Sequence, residues 1–343
     1  MKILLTGING YIGTVLGQEL IKAGHTVVGL DTGYYAEAWL YDLPEYKKIQ
    51  TIRKDTRDVT VEELIGFDAI IHLAELSNDP LGQIDSSVTF EINHKASVNL
   101  AKKAKDGGVS KFIYMSSCST YGIAKDGVAT EESIPKPQTD YAKCKILTET
   151  GVSKLASDNF SPTFLRSATV FGASPRMRFD IVLNNLAGLA WTKREIKMHS
   201  DGSPWRPLIH IKDLCQAIVA ILEAPREVVH NQIINVGDNN QNYQVREIAN
   251  IISDVFPNCQ VKFGKNDPDN RSYKVSFEKI SKLLPGFKCQ YDARAGAKEL
   301  LELFKKINLD KETFYSKDFI RLAQIDHLRK TNQIDDMFFW KKL

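Results

Sequence analysis

Cysteine is scarce in this 343-residue chain, and its few cysteines form no pattern. There are five: Cys118, Cys144, Cys215, Cys259 and Cys289. The number is odd, no two make a CxxC pair, and none has the histidine spacing of a zinc site. A disulfide scaffold and a structural metal module are therefore excluded, and no metal ligands are assigned. A reducing cytoplasm is the expected location. Long apolar runs are also missing. No stretch reaches the roughly 18 residues of a membrane-spanning helix, and "MKILLTG" is too short to be a signal-peptide core. Neither sign of charge dominates: 45 basic against 42 acidic residues leaves a net charge of +3. Such a balance argues against nucleic acid or a membrane surface as partner. Internal repeats and low-complexity segments are absent too.

What is present is an alternation of short apolar runs with longer mixed ones. Strands are expected at 2–6, 25–31, 47–55, 67–74, 110–117 and 161–170. Helices are expected at 11–24, about 60–65, 88–107 and 140–157. Gly24 suits the end of the first helix. Strand–helix alternation predicts an α/β fold, a doubly wound parallel sheet with helices on both faces. After residue 172 the rhythm changes. Helices near 180–194 and 245–256, a short strand segment and a helix within 209–225, and a strand near 231–237 are expected there. The division predicted is a first domain over 1–172 and a smaller C-terminal α/β domain over 173–343, with segments near 209–237 as candidates to return to the first domain.

The stretch "TGINGYIG" (6–13) joins the first strand to the first helix. Gly7, Gly10 and Gly13 let the backbone turn tightly and let a diphosphate approach the helix N-terminus, where free N–H groups and the helix dipole favour anions. Flanked by a strand and a helix, the loop predicts a Rossmann-type dinucleotide site. Gly7, Asn9, Gly10, Tyr11, Ile12 and Gly13 are its candidate contacts. Asp31 ends the second strand. A carboxylate there accepts hydrogen bonds from the adenosine ribose and repels the extra phosphate of NADP, so NAD is the expected cofactor.

In "TDYAKCKILTE" (139–149), Tyr141 and Lys145 stand four residues apart, on one helix face. A spacing so common is weak evidence alone. In series with the phosphate loop, with "KDTRD" (54–58), "HLAEL" (72–76), "SSCSTYG" (116–122), "LRSATVFG" (165–172) and "RPLIHIKD" (206–213), it resembles the extended short-chain dehydrogenase/reductase family. The likeness is to its NAD-dependent nucleotide-sugar epimerases and dehydratases. It covers nearly the whole chain, though residues beyond about 290 carry little of it. The resemblance implies that Tyr141 is the acid/base, that Lys145 holds the nicotinamide ribose and lowers the tyrosine pKa, and that Ser117 binds the reacting hydroxyl. Asp55 and Thr56 would flank the adenine. Leu73, Ala74, Glu75, Asn93 and Ser116 would line the cofactor path, although relatives more often carry a small residue at position 75. The chemistry holds without the family. A tyrosine ordinarily titrates near pH 10, and a neighbouring ammonium favours phenolate. Phenolate can take a hydroxyl proton while hydride leaves carbon.

On the substrate side, Arg206 and Arg271 are the expected clamp on a nucleotide-sugar diphosphate. Arg178 and Asn184 are further candidates, as are Cys118, Ser119 and Thr169. Thr169 stands where many relatives carry Asn. His72 and His210 read as structural, and Trp191, Trp205 and Trp340 as packing residues. Asp213 is expected to cap the following helix or to orient the loop bearing Arg206. In the 4,6-dehydratases that the sequence resembles, an Asp–Glu pair follows the catalytic Ser/Thr. Here Cys118 and Ser119 occupy those places. Decarboxylases typically carry Glu at the place of Ser119. Cys118 reads as packed rather than as a proton carrier at C3 or C5. The chemistry left is C4 epimerisation through a transient 4-keto sugar. A nucleotide-sugar dehydrogenase or 4-ketoreductase is the alternative, and a dinucleotide sensor would usually lack the Tyr or the Lys. Relatives dimerise through a four-helix bundle, so a homodimer built on 88–107 and 140–157 is expected.

Overall fold

The computed structural model describes residues 1–43, 48–77, 79–265 and 271–341, with 124–126 described by backbone alone. Seven strands form one sheet in the order Gln232–Val236, Ser161–Ser167, Lys111–Ser117, Ala69–His72, Lys2–Thr6, Thr26–Asp31 and Gln50–Arg53. Every neighbouring pair is parallel. Burial on both faces explains the nearly continuous apolar runs: Ile3, Leu5, Ile70, Ile71 and Phe112 are all sealed from solvent. The Rossmann-type sheet expected from the alternation is therefore the core of the molecule.

Several expected elements are shorter than predicted. The strand expected at 47–55 spans only Gln50–Arg53, and Lys47 lies outside the described residues. The helix expected near 60–65 is a single 3-10 turn, Glu62–Leu64. The run expected at 88–107 begins as a short helix, Ser86–Thr89, widens into a π-helix over Phe90–Ala96 and ends as an α-helix, Ser97–Asp106. The strand expected at 161–170 breaks at Ala168. There the amide turns to the Val236 carbonyl, and Thr169–Phe171 continues in another sheet with Trp205–His210 and Asn242–Gln244.

The later chain crosses back to the first half. Gln232–Val236 extends the large sheet beside Ser161–Ser167, and the helix Ile211–Glu223 packs against the helix Tyr11–Lys22. Strand Ser272–Val275 pairs with Ile123–Ala129, a contact between distant segments that no periodicity announces. No helix among the described residues is long and apolar enough to cross a membrane.

Asp213 acts differently from either expectation. The helix is capped by His210, whose ring nitrogen accepts from the Lys212 amide at 3.3 Å. The fully buried Asp213 carboxylate instead accepts from the amides of Gln290 (3.0 Å) and Tyr291 (3.1 Å). It ties the start of the C-terminal region to this helix.

Candidate active site

The C-terminal ends of the central strands open into a cavity of about 710 Å³. A cleft at strand ends is where open α/β sheets bind ligands. At one end lies the phosphate loop. Gly7 has φ of +73°, and a Cβ there would come within 2.9 Å of the Ala74 amide. A Cβ on Gly13 would lie 2.2 Å from the Gly7 carbonyl. Only glycine fits at either place, so the helix Tyr11–Lys22 starts hard against the loop. It has no capping side chain at Gly10 and no acidic residue in its first turn. Its N-terminal amides are thus left for an anion.

Asp31 lines the same cavity. Its carboxylate accepts from the amides of Asn9 (3.0 Å) and Gly33 (2.8 Å). Burial pushes its pKa up, against the pull of those two amides. Tyr11, Ile12, Asp55, Thr56, Leu73, Ala74, Glu75 and Ser116 complete this wall. These residues fit a dinucleotide: a glycine cradle for the diphosphate and a fixed carboxylate for a ribose.

At the other end, the helix Asp140–Ser153 is capped by Thr139, whose hydroxyl accepts from the Ala142 amide at 3.2 Å. Tyr141, Lys145 and Glu149 follow on one face. Ser117, ending its strand, lines the cavity with Tyr141 and draws the Tyr141 pKa down. The Lys145 ammonium lies 5.2 Å from the Tyr141 ring centre. Burial raises the Tyr141 pKa and Lys145 opposes that rise. Burial pulls the Lys145 pKa down, but Glu75, Tyr141 and Cys144 together hold it above the usual lysine range. Glu75 forms an ion pair with Lys145 and accepts from the Tyr114 hydroxyl at 2.6 Å. The departure noted at position 75 therefore places a buried carboxylate against the lysine of the pair.

Glu149 lies underneath. It takes both forks of Arg166, at 3.0 and 2.7 Å, and accepts from the Ser116 hydroxyl at 2.5 Å. Arg166 also donates to Tyr121 at 3.1 Å. This buried network fixes the helix to two strands. The i+4 spacing from Lys145 was its only trace in sequence.

Ser119, Thr169, Arg178, Arg206 and Arg271 also line the cavity. Arg178 pairs with Asp180 through two 2.9 Å contacts. Arg271 pairs with Asp79, which also accepts from Thr139, and Arg206 donates to the Arg271 carbonyl. Neither Asp79 nor Asp180 was singled out in sequence.

Four candidates are not walls of the cavity. Asn9 contributes its backbone amide to Asp31. Asn93 is fully buried and clamps both the amide (2.8 Å) and the carbonyl (3.0 Å) of Leu76, which shapes the loop beside the cavity. Cys118 turns inward and donates to the Arg166 carbonyl at 3.2 Å; burial drives its thiol pKa far up, so it stays neutral. Asn184 is enclosed and bridges the Gly172 amide, the Tyr11 hydroxyl and the Arg178 carbonyl.

His72 is structural. It sits between the hydroxyls of Thr6 (2.7 Å) and Ser97 (2.8 Å), and burial pushes its pKa down to about 3. His210 contacts Glu299 at 2.8 Å and stacks on Tyr291. The indole N–H of Trp191 donates to the Leu309 carbonyl and that of Trp340 to the Thr32 carbonyl, both at 2.7 Å, while Lys274 covers the ring of Trp205. No cluster of side chains suited to a metal occurs among the described residues.

Comparison with known proteins agrees with this geometry. Residues 3–237 match the NAD dependent epimerase/dehydratase family, and the chain belongs to that family. A UDP-N-acetyl-alpha-D-glucosaminuronate decarboxylase of Bacillus cytotoxicus is 25% identical over 331 residues, covering 90% of this chain and 99% of that protein. A UDP-glucuronate 4-epimerase of Thermodesulfobacterium geofontis is 25% identical, covering 73% of this chain and 79% of its own length. Among solved structures, a UDP-glucuronic acid 4-epimerase from Bacillus cereus superposes with a TM-score of 0.78 at 24% identity, covering 90% of this chain and all of that one. The protein is an NAD-binding enzyme, and NAD is the cofactor that family and phosphate loop together specify.

Proposed function

We propose that the protein epimerises a nucleotide sugar at C4. One observation carries this reading. The sugar end of the cavity presents Tyr141, Lys145 and Ser117, while the carboxylates around them are in ion pairs: Glu75 with Lys145, Asp79 with Arg271, Asp180 with Arg178. Positions 118 and 119, where relatives that eliminate water carry acids, hold a buried thiol and a hydroxyl. Proton transfer at one hydroxyl is what this set supports.

Ser117 holds the C4 hydroxyl and Tyr141, as phenolate, takes its proton. NAD, held by the phosphate loop and Asp31, would supply the hydride chemistry at C4. Lys145 stabilises the phenolate and fixes the ribose beside it. The 4-keto sugar turns about its link to the diphosphate, which Arg206 and Arg271 hold, with Thr169 as a further contact. Tyr141 then gives the proton back as hydride arrives on the other face. The relatives also include decarboxylases and dehydratases. Net oxidation by a dehydrogenase, or reduction by a 4-ketoreductase, would use the same three residues. The subunit is proposed to pair through Ser97–Asp106 and Asp140–Ser153, two packed helices on which Leu147 is exposed. Sedimentation at micromolar concentration checks that assembly.

The test is NMR of the protein with a panel of UDP-, GDP-, CDP- and dTDP-sugars and catalytic NAD. A C4 epimer at equilibrium, without net NADH, is expected. Stoichiometric NADH in excess NAD, with no epimer, would overturn the reading in favour of a dehydrogenase.

A further inference from the structure

The C-terminal segment carries almost none of the family pattern, yet it closes one side of the cofactor end. The Tyr34 hydroxyl donates to the Phe338 carbonyl. Arg57 donates to the Met337 carbonyl at 2.7 Å and lies 3.5 Å from the Phe339 ring centre. Gln324 donates to the Tyr34 carbonyl at 3.0 Å. These contacts fasten the segment to residues just beyond the second and third strands, beside Asp31 and Asp55.

The fastening brings Arg321 into the cavity wall. It is 2% exposed, among the most buried large side chains in the protein. Its guanidinium stacks on Tyr35, 3.9 Å from the ring centre. Its one hydrogen bond is a long 3.5 Å contact from Nη2 to the Arg176 carbonyl, and Nη1 has no partner among the described residues. No carboxylate forms an ion pair with it there. Asp31 and Asp180 are close enough to act on its charge, but Asp31 accepts from two amides and Asp180 is forked by Arg178. A buried guanidinium with orphan N–H groups is costly unless an anion meets it. Accordingly burial pulls its pKa down to about 10.

We propose that Arg321 is a cofactor-binding residue that receives the diphosphate of NAD, so that the C-terminal segment completes the site begun by the phosphate loop. The inference rests on the assignment of NAD as cofactor. The diphosphate is the only anionic part of NAD, and Arg321 shares the cavity with Gly10, Ile12 and Gly13. The planar guanidinium matches paired phosphate oxygens. Its positive charge, in the same cavity as the phosphate loop, would add a cation to the helix N-terminus in holding the diphosphate.

Calorimetry with the full chain tests this, using NAD, ADP-ribose, adenosine and NADP as ligands for the native protein, Arg321→Met and Arg321→Lys. In Arg321→Met, binding of NAD and of ADP-ribose is expected to weaken by about 10- to 100-fold, with adenosine unchanged and Arg321→Lys in between. Without ligand, Arg321→Met is expected to melt no lower than the native protein, because it removes an unpaired buried charge. A residue that only packs would give the opposite: a lower melting temperature and equal losses for NAD and adenosine. Unchanged NAD affinity overturns the proposal, as does a larger loss for NADP than for NAD. If the native protein binds no NAD, the cofactor assignment falls and the role of Arg321 with it. If NAD binds but no sugar is epimerised, only the proposed reaction falls.

Discussion

Replacing Tyr141 by Phe is expected to lower turnover by about 10²- to 10⁴-fold, the usual contribution of a positioned acid/base. Tyr141 is half-buried with its Cβ beside Gly82, and the variant loses one oxygen while keeping the ring. NAD affinity should therefore remain near native, since the phosphate loop and Asp31 are untouched. Steady-state kinetics beside an NAD titration separates the two effects. Turnover within tenfold of native would show that another group moves the proton. The residues that follow Ser117 are poorly suited to that work: Cys118 faces inward and is held neutral, and Ser119 offers only a hydroxyl.

The second large effect is expected at Glu75. Glu75→Ala leaves the Lys145 ammonium buried without its carboxylate, at side-chain exposures of 5% for the lysine and 2% for the glutamate it loses. Breaking such a pair costs about 3–5 kcal/mol, readable by chemical denaturation of the cofactor-free protein. The same change alters the pH profile. Tyr141 accepts a proton only as phenolate, so kcat/KM falls as pH drops through its pKa. Glu75 raises that pKa and Lys145 lowers it. With the carboxylate gone, burial and Asp79 still raise the pKa but one opponent of Lys145 is removed, so the pKa falls and the acid limb moves to lower pH. Glu75→Gln, which keeps the shape, should show the same move. A loss of stability with an unmoved acid limb would make Glu75 a packing residue and not one that tunes the tyrosine.

Much of this was legible in the sequence because short motifs carry their own context. "TGINGYIG" between an apolar run and a helix specifies a strand, a tight turn and an anion site at once, and Asp31 follows at the end of the next strand. The helix period puts Tyr141 and Lys145 on one face, and the motifs in series around them gave that spacing its meaning. Residues set by tertiary packing were not legible. Asn93 and Asn184 carry amides that relatives place near ligands, yet here both are spent on buried backbone groups. Asp79, Glu149 and Arg321 were missed because their partners lie far away in the chain. Asp79 meets Arg271 across 192 positions, and Gln324, near Arg321, reaches Tyr34 across 290. The same reason hid the strand Ser272–Val275, whose neighbour is Ile123–Ala129. Alternation reports which residues are buried, not which distant segment buries them.

The most direct measurement uses the nucleotide sugar that turns over, carrying deuterium at C4, with the enzyme holding one equivalent of NAD. If Tyr141 moves the proton while the hydride is taken and returned within one closed site, the epimer keeps its deuterium at C4 and no reduced cofactor accumulates. Deuterium lost from the sugar and recovered in released NADH would contradict internal return, and with it the proposal that this protein is an epimerase.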